Sequence, residues 1–178
     1  MIELYLSHHG IKGQRWGIRR FQNEDGSLTK AGMRRYSEAN EYTTRNGEKV
    51  TVLTSKSRKF ETEVPDASGK KEHRSYSETV HTMYVNGKKT TIAYLDKDGD
   101  ETNLNWISTK SKYEGKGYAQ TMMNHLIKYS KDKNGSSFMS LEVPDDSPNA
   151  KHIYEKYGFK ETGTSWDDYG LTQMKKNL

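Results

Sequence analysis

The sequence has no cysteine among its 178 residues, which excludes a disulfide framework, a thiolate-ligated metal and a cysteine nucleophile. Its strongly apolar residues are few. Val, Ile, Leu and Phe together number 27 of 178, below what a fully packed chain carries, so part of it is expected to lie outside a core. No run approaches the roughly 18 consecutive apolar residues of a membrane span. The opening MIELYLSHHG does not follow the basic-then-apolar order of a secretory signal. These absences predict a soluble chain made without export.

What is present argues against uniform disorder. Aromatic residues make up 11% of the chain, twelve of them Tyr, and a net charge of +5 is small for the length. One modest domain with a polar extension fits this composition. The charge is unevenly placed, because all eight Arg (15, 19, 20, 34, 35, 45, 58 and 74) lie in the first 74 residues, whereas 14 Lys are balanced by 14 acids beyond Arg74. Residues 1–36 alone carry seven basic and three acidic side chains, so the two parts have different jobs or different origins.

Residues 1–26 place Gly10, Gly13, Gly17 and Gly26 among Ile11, Trp16, Ile18 and Phe21 at no regular period, the pattern of an irregular docking segment. Asp25-Gly26-Ser27 predicts a turn into a helix over 28–42, capped by Ser27 or Thr29. A first strand is expected over 49–53, and the polar stretch 54–74, with Pro65 and Ser68-Gly69, reads as loop. Asn86-Gly87 is a two-residue hairpin turn joining strands over 77–85 and 89–95. A third strand, 101–109, comes after the turn Asp96-Lys97-Asp98-Gly99-Asp100. The glycine in that turn does not fall at the sixth place a calcium loop requires, so the turn reads as solvated.

Tyr118 to Lys131 sets Ala119, Met122, Met123, Leu126 and Ile127 at helical spacing. Asn134-Gly135 ends this helix, and the next strand is expected over 137–143. Ser147-Pro148 opens a second helix to about Tyr157, closed by Gly158, and 159–164 and 169–174 are expected to pair as a last hairpin. Met122, Met123 and Trp106 are expected in the core, and the scattered His predict no metal site.

Two stretches carry chemistry. In Tyr113-Glu114-Gly115-Lys116-Gly117-Tyr118-Ala119, the glycines leave room for a ligand to touch the backbone where the helix presents its first amides and the positive end of its dipole. That is an anion site suited to a pyrophosphate, although glycine before a helix by itself marks only a turn. About 30 residues on comes Ser147-Pro148-Asn149-Ala150-Lys151-His152-Ile153-Tyr154-Glu155-Lys156-Tyr157-Gly158-Phe159. In this order and spacing, the pair resembles the GNAT superfamily of N-acetyltransferases over residues 76–178. Glu114, Gly117 and Ala119 fall on the family's Gln/Arg-x-x-Gly-x-Gly/Ala loop, and Ala150, Tyr154, Glu155, Lys156, Gly158 and Phe159 fall on its second motif.

The resemblance implies an α+β fold, with a mixed, mostly antiparallel central sheet flanked by helices and preceded by an irregular or helical basic extension. It divides the chain into an N-terminal module, 1–45, and an acetyltransferase domain, 46–178. It further implies an acetyl-CoA cosubstrate in a gap between the third strand and the strand of Phe138 to Val143. The backbone at Ile107, Ser108 and Thr109 would hold the pantetheine arm. The loop and first turn from Glu114, Gly115, Lys116 and Gly117 to Tyr118, Ala119 and Gln120 would hold the pyrophosphate, with Ser147 and Asn149 at the start of the second helix also in the cofactor set. Tyr154 matches the family's general acid for the departing thiolate, and the amine would attack the thioester directly.

Three departures stand out. Glu114 replaces Gln or Arg, with Lys112 and Lys116 as compensating charges. Ser147 replaces a frequent Asn. The helix pair that shapes the family's acceptor site has no counterpart in 54–75. Glu101, Asn105, Glu142, Asp145 and Asp146 lie on or beside the relevant strands, and each reads as a solvated surface group rather than a general base.

Residues 9–36, from His9-Gly10-Ile11-Lys12-Gly13 through Arg15-Trp16-Gly17-Ile18-Arg19-Arg20-Phe21 to Arg34-Arg35-Tyr36, resemble a short module of proteins encoded by bacteriophages and prophages of Gram-positive bacteria. It implies a viral setting, with localisation in the bacterial host cytoplasm or on a virion, and a virion or host protein as partner. The expectation is thus a phage-encoded N-acetyltransferase acting on a small-molecule or protein amine. The alternatives are a non-catalytic GNAT-fold protein that binds virion or host proteins, and nucleic-acid binding through the basic N-terminus. A basic tail that folds only on binding is the plain reading of the N-terminal segment.

Overall fold

The computed structural model describes residues 29–33, 36–65, 69–164 and 170–178. Its elements are α1 (Lys30–Met33), β1 (Tyr36–Thr43), β2 (Lys49–Ser55), β3 (Arg58–Pro65), β4 (Lys71–Val85), β5 (Lys88–Asp98), β6 (Glu101–Thr109), α2 (Tyr118–Asp132), β7 (Phe138–Pro144), α3 (Pro148–Lys156), β8 (Lys160–Thr164) and β9 (Leu171–Asn177). The strands form one nine-stranded sheet in the order β1-β2-β4-β5-β6-β7-β9-β8, with β3 on β4. All pairings are antiparallel except β6 with β7, whose parallel alignment needs the α2 crossover between them. The mixed, mostly antiparallel sheet and two helices expected for the C-terminal part are therefore present.

Alternation sorts each strand onto two faces. Val50, Val52, Met83, Ala93, Leu95, Leu104, Leu141 and Met174 point to one face, where Met122, Met123 and Leu126 of α2 close the core. The helical spacing of the α2 residues thus puts its apolar stripe on the sheet, as the sequence predicts.

The N-terminal expectations fare differently. The helix over 28–42 is replaced by one turn, α1, and then by strand β1, which pairs with β2 from Thr43↔Lys49 to Tyr36↔Ser55. Thr29 caps α1, its Oγ1 accepting from the Gly32 amide at 3.1 Å. The β1–β2 hairpin spans the expected boundary at 45/46. The docking segment expected over 1–26 and the turn at Asp25-Gly26-Ser27 lie outside the described residues. The loop expected over 54–74 is also overturned, since β3 pairs with the first half of β4 from Arg58↔Glu78 to Pro65↔Lys71. β5 joins β4 only from Ser77 onward, so the ends of β3 and β4 form a two-stranded arm beyond the sheet body. Phe60 and Tyr76 stack on this arm at 5.3 Å between centroids. No helix pair stands between β2 and β4 among the described residues.

Candidate functional site

The site is built where β6 and β7 part. Their ladder runs from Glu101↔Phe138 to Leu104↔Leu141 and stops, while β6 continues to Thr109 and β7 turns wholly to β9. Beyond Leu104, β6 therefore has no strand partner on its β7 side, and its peptide groups there face an open fork. A β-bulge accompanies the parting: Leu95 pairs with Leu104 but Tyr94 with Trp106, which leaves Asn105 as the extra residue. The inward residues Leu104 and Ile107 are three apart, which a regular strand of period two cannot satisfy, so this bulge was readable in the sequence.

The fork opens toward the N-terminus of α2. Gly115 and Gly117 have φ of 73° and 80°, values a side chain disfavours, and Gly117 is the N-cap residue. No side chain caps α2 and its first turn holds no acid, so its leading amides and dipole remain available to an anion. A Cβ on Gly115 would meet nothing within 4 Å, so there the backbone angle and not crowding calls for glycine. Lys112 and Lys116 place their ammonium groups 4.9 and 5.8 Å from the Tyr113 ring centre, on either side of exposed Glu114 in sequence. Lys89 and Lys110 come close to each other at this end of the sheet, and burial, then the charge of Lys110, lowers the Lys89 ammonium from its ordinary pKa.

Not every expected site residue presents its side chain here. Tyr118 is 2% exposed and donates from its hydroxyl to Glu48 Oε2 at 2.7 Å, tying the β1–β2 turn to the start of α2. Burial, then the Glu48 bond, pushes its phenol up to about 12. Only its amide is placed for a ligand. Ala119 and Gln120 are exposed on the first turn, and Ile107, Ser108 and Thr109 lie along the open part of β6. Tyr157 of the second motif reaches this turn, its hydroxyl donating to the Gln120 carbonyl at 3.1 Å. Tyr154 is half-buried against the core, edge-on to Phe159 at 6.0 Å, and burial raises its phenol pKa. Ser147 and Asn149 stand at the opposite end of α3. Ser147 is the N-cap residue but its hydroxyl caps nothing, contacting Asp146 Oδ1 at 3.4 Å instead.

Trp106 corrects an expectation: it is 60% exposed rather than core, because the bulge turns it out beside Tyr94 on the face away from α2. Met122 and Met123 are buried as expected. A separate cavity of about 870 Å³ lies against β1 and β2, lined by Glu41, Tyr42, Lys49, Tyr84 and Asn86 among others. It holds none of the expected cofactor residues and no helix N-terminus, so it is not the candidate anion site. Among the described residues no three His, Asp or Glu side chains gather as metal ligands, and no helix is long and apolar enough to cross a membrane.

A strand fork facing an uncapped helix is the arrangement that the resemblance to N-acetyltransferases implies. Residues 55–159 match the model of the acetyltransferase (GNAT) family, and the chain belongs to that family. Similar solved structures include the dodecameric spermidine N-acetyltransferase from Vibrio cholerae in an intermediate state, at 22% identity and a TM-score of 0.52 over 56% of this chain and 64% of that one. The spermidine N-acetyltransferase from Vibrio cholerae in complex with CoA and spermine aligns at 21% identity and a TM-score of 0.52, over 56% and 65%. The ribosomal-protein-S18-alanine N-acetyltransferase from Escherichia coli aligns at 24% identity and 0.50, over 56% and 68%. The chain spans less than two thirds of the length of these Vibrio cholerae proteins. No curated protein sequence matches it.

Proposed function

We propose that this chain transfers an acetyl group from acetyl-CoA to an amine. The observation that carries the reading is the fork beyond Leu104 and Leu141, which faces the uncapped N-terminus of α2. The residues present suit the cosubstrate. Glycines at positive φ let a pyrophosphate approach the backbone of 115–120, and the peptide groups of Ile107, Ser108 and Thr109 offer an extended partner to an amide-bearing arm. Bound acetyl-CoA supplies the acetyl group as an activated thioester. The amine nitrogen forms the new bond to the carbonyl carbon, the carbon–sulfur bond breaks, and the thiolate leaves. Tyr154, a phenol that is protonated at neutral pH and whose pKa burial raises further, is assigned as the donor of a proton to that sulfur. The proton shed by the nitrogen passes to water.

The finer setting is proposed from the N-terminal resemblance. The chain is phage- or prophage-encoded, residues 1–45 act as a docking module for a virion or host protein, and the protein works in the bacterial cytoplasm or on the virion. A second reading, a non-catalytic GNAT-fold binding protein, draws support from Glu114 beside the anion loop and from the strand arm that stands in place of an acceptor-shaping helix pair. Release of free thiol from acetyl-CoA on addition of amines, monitored spectroscopically, separates the two. Amine-dependent release that Tyr154→Phe slows on the order of 10²-fold, with acetyl-CoA affinity unchanged, is the expected result. Absence of release with every amine favours the binding protein.

A further inference from the structure

The core lies on one side of the sheet, where α2 packs and where Ala150, Tyr154 and Tyr157 of α3 rest against the same cluster. Leu53 stands apart from it. Among the described residues it is the one buried hydrophobic side chain outside the core cluster, at 2% exposed. Val52 before it belongs to the core and Thr54 after it bonds His81, which meets His125 of α2, so alternation turns Leu53 to the opposite face. Its partner there, Thr82 of β4, is 6% exposed. An antiparallel sheet with one wet face carries polar residues on that face. Here the central positions of β4 and β5 that point away from α2 hold Val80, Thr82, Tyr84, Ile92 and Tyr94, and none of them is exposed. These strands are built to be covered on both sides. The cover ends at β6, where Trp106 beside Tyr94 is 60% exposed.

A face awaiting a second copy or a separate protein would leave Leu53 exposed in a single chain, so its burial points to cover from the chain itself. Neither α2 nor α3 supplies it, and α1 is a single turn, too short to span these strands. Of the stretches outside the described residues, 34–35 is a dipeptide, 66–68 joins β3 to β4 at the end of the arm, and 165–169 joins β8 to β9 at the far edge of the sheet. Residues 1–28 remain. They lead through α1 into β1, whose Ala39 pairs with Leu53, and they carry Ile11, Trp16, Ile18 and Phe21 on glycine joints. The 13 residues from Trp16 to Thr29 reach up to ~43 Å at ~3.3 Å each, against roughly 14 Å for the three strand spacings from β1 to β5. The cavity of about 870 Å³ against β1 and β2 adjoins the patch, since Leu53 and Tyr84 line it too. Its charged lining residues, Glu41 and Lys49, balance, so apolar contact rather than charge selects the occupant.

We propose that residues 1–28 fold back over the face of β2, β4 and β5 that lies away from α2, Trp16 and its apolar neighbours covering Leu53 at the cavity. The segment then presents Arg15, Arg19 and Arg20 from a fixed place on the domain rather than from a free tail. This holds whether or not the chain transfers acetyl groups. Because the chain has no cysteine, a single nitroxide can be attached at a chosen position of the full chain. Asn46→Cys puts it on the exposed β1–β2 turn, between the cavity residues Thr43 and Lys49 but outside the lining. Asn124→Cys puts it on the exposed side of α2, across the sheet. The readout is the nitrogen-15 indole signal of Trp16, assigned by its loss in Trp16→Phe. The expected result is strong broadening from position 46, little from position 124, and none when a separate chain free of nitrogen-15 carries the nitroxide. No broadening from position 46 leaves the face to another protein and overturns the proposal. Broadening from the separate chain gives the face to a second copy, and equal broadening from both positions is the mark of a free tail; each overturns it too. In a second measurement, Trp16→Ala is expected to lower the urea midpoint of unfolding by uncovering Leu53. An unchanged midpoint, as for a substitution in a free tail, counts equally against the proposal.

Discussion

Tyr118 shows how one side chain can serve the site without facing it. Its ring fills the core and its hydroxyl reaches Glu48, so the β1–β2 turn is bound to the residue that begins α2. Tyr118→Phe keeps the ring and deletes the bond, leaving Glu48 without its partner. The expected loss is about 1–2 kcal/mol in urea unfolding, with acetyl-CoA affinity retained because only the amide of residue 118 faces the anion site. Leu126, fully buried on the sheet-facing side of α2, is a larger case: Leu126→Ala leaves a cavity in the core and is expected to cost about 2–5 kcal/mol in the same measurement. Trp106 shows a limit of reading single residues. A tryptophan in a strand is ordinarily read as core, and only the odd spacing from Leu104 to Ile107 tells that the strand slips its period there.

The parts of the fold that the sequence disclosed are those whose pattern is local. β6, α2, α3 and the Asn86-Gly87 hairpin fall within a few residues of expectation because period, cap and turn residues agree. β1 does not, since Glu38, Ala39 and Glu41 favour helix and its strand state comes from pairing with β2, a tertiary effect that outweighs propensity. β3 was hidden because its alternating residues are mostly charged and lie exposed on an arm with no core face to mark them. The helix–sheet contact of His81 and His125 was equally invisible, as the two are 44 positions apart. His125 Nε2 lies 2.9 Å from His81 Nδ1, Tyr42 Oη is 2.7 Å from His125 Nδ1, and Thr79 Oγ1 is 3.1 Å from His81 Nε2. The chain of bonds is complete with both imidazoles neutral.

Burial, and for His81 also the neighbouring His125, lowers these two histidines to about 3 and about 4, whereas Glu38 opposes the shift at His125. Both folded values lie below the ordinary 6.5, so the unfolded chain binds more protons as the pH drops. Stability is therefore full above pH ~6.5 and is lost as the pH falls toward the folded values, by about 2 kcal/mol per histidine at pH 5. Denaturant unfolding at about pH 7.5 and pH 5 checks this, and His125→Gln is expected to flatten the difference between the two.

On the proposed reading, function is divided between a sheet that supplies a fork, one helix whose uncapped end would hold the anion, and a second helix that carries Tyr154 and Tyr157, the latter bonded to the first turn of α2. The fork exists because β6 and β7 are parallel for only four pairs and then part, a property of sheet register that no motif writes out. The glycine turn before α2 and the bounds of α3 were legible because glycine conformations and helix ends leave local marks. The arm of β3 and β4 stands where the resemblance implies a pair of helices, and Trp106 lies exposed on the sheet face away from α2.

Calorimetric titration of the full chain with acetyl-CoA, beside Gly117→Glu, bears on the fork, the loop and the helix end at once. Glutamate at a φ of +80° strains the turn and sets a carboxylate against the first amides of α2. Saturable binding to the parent chain, absent from a folded Gly117→Glu, is the predicted result. Equal binding by both chains, or none by the parent at millimolar ligand, would contradict the fork and the α2 N-terminus as the site of acetyl-CoA.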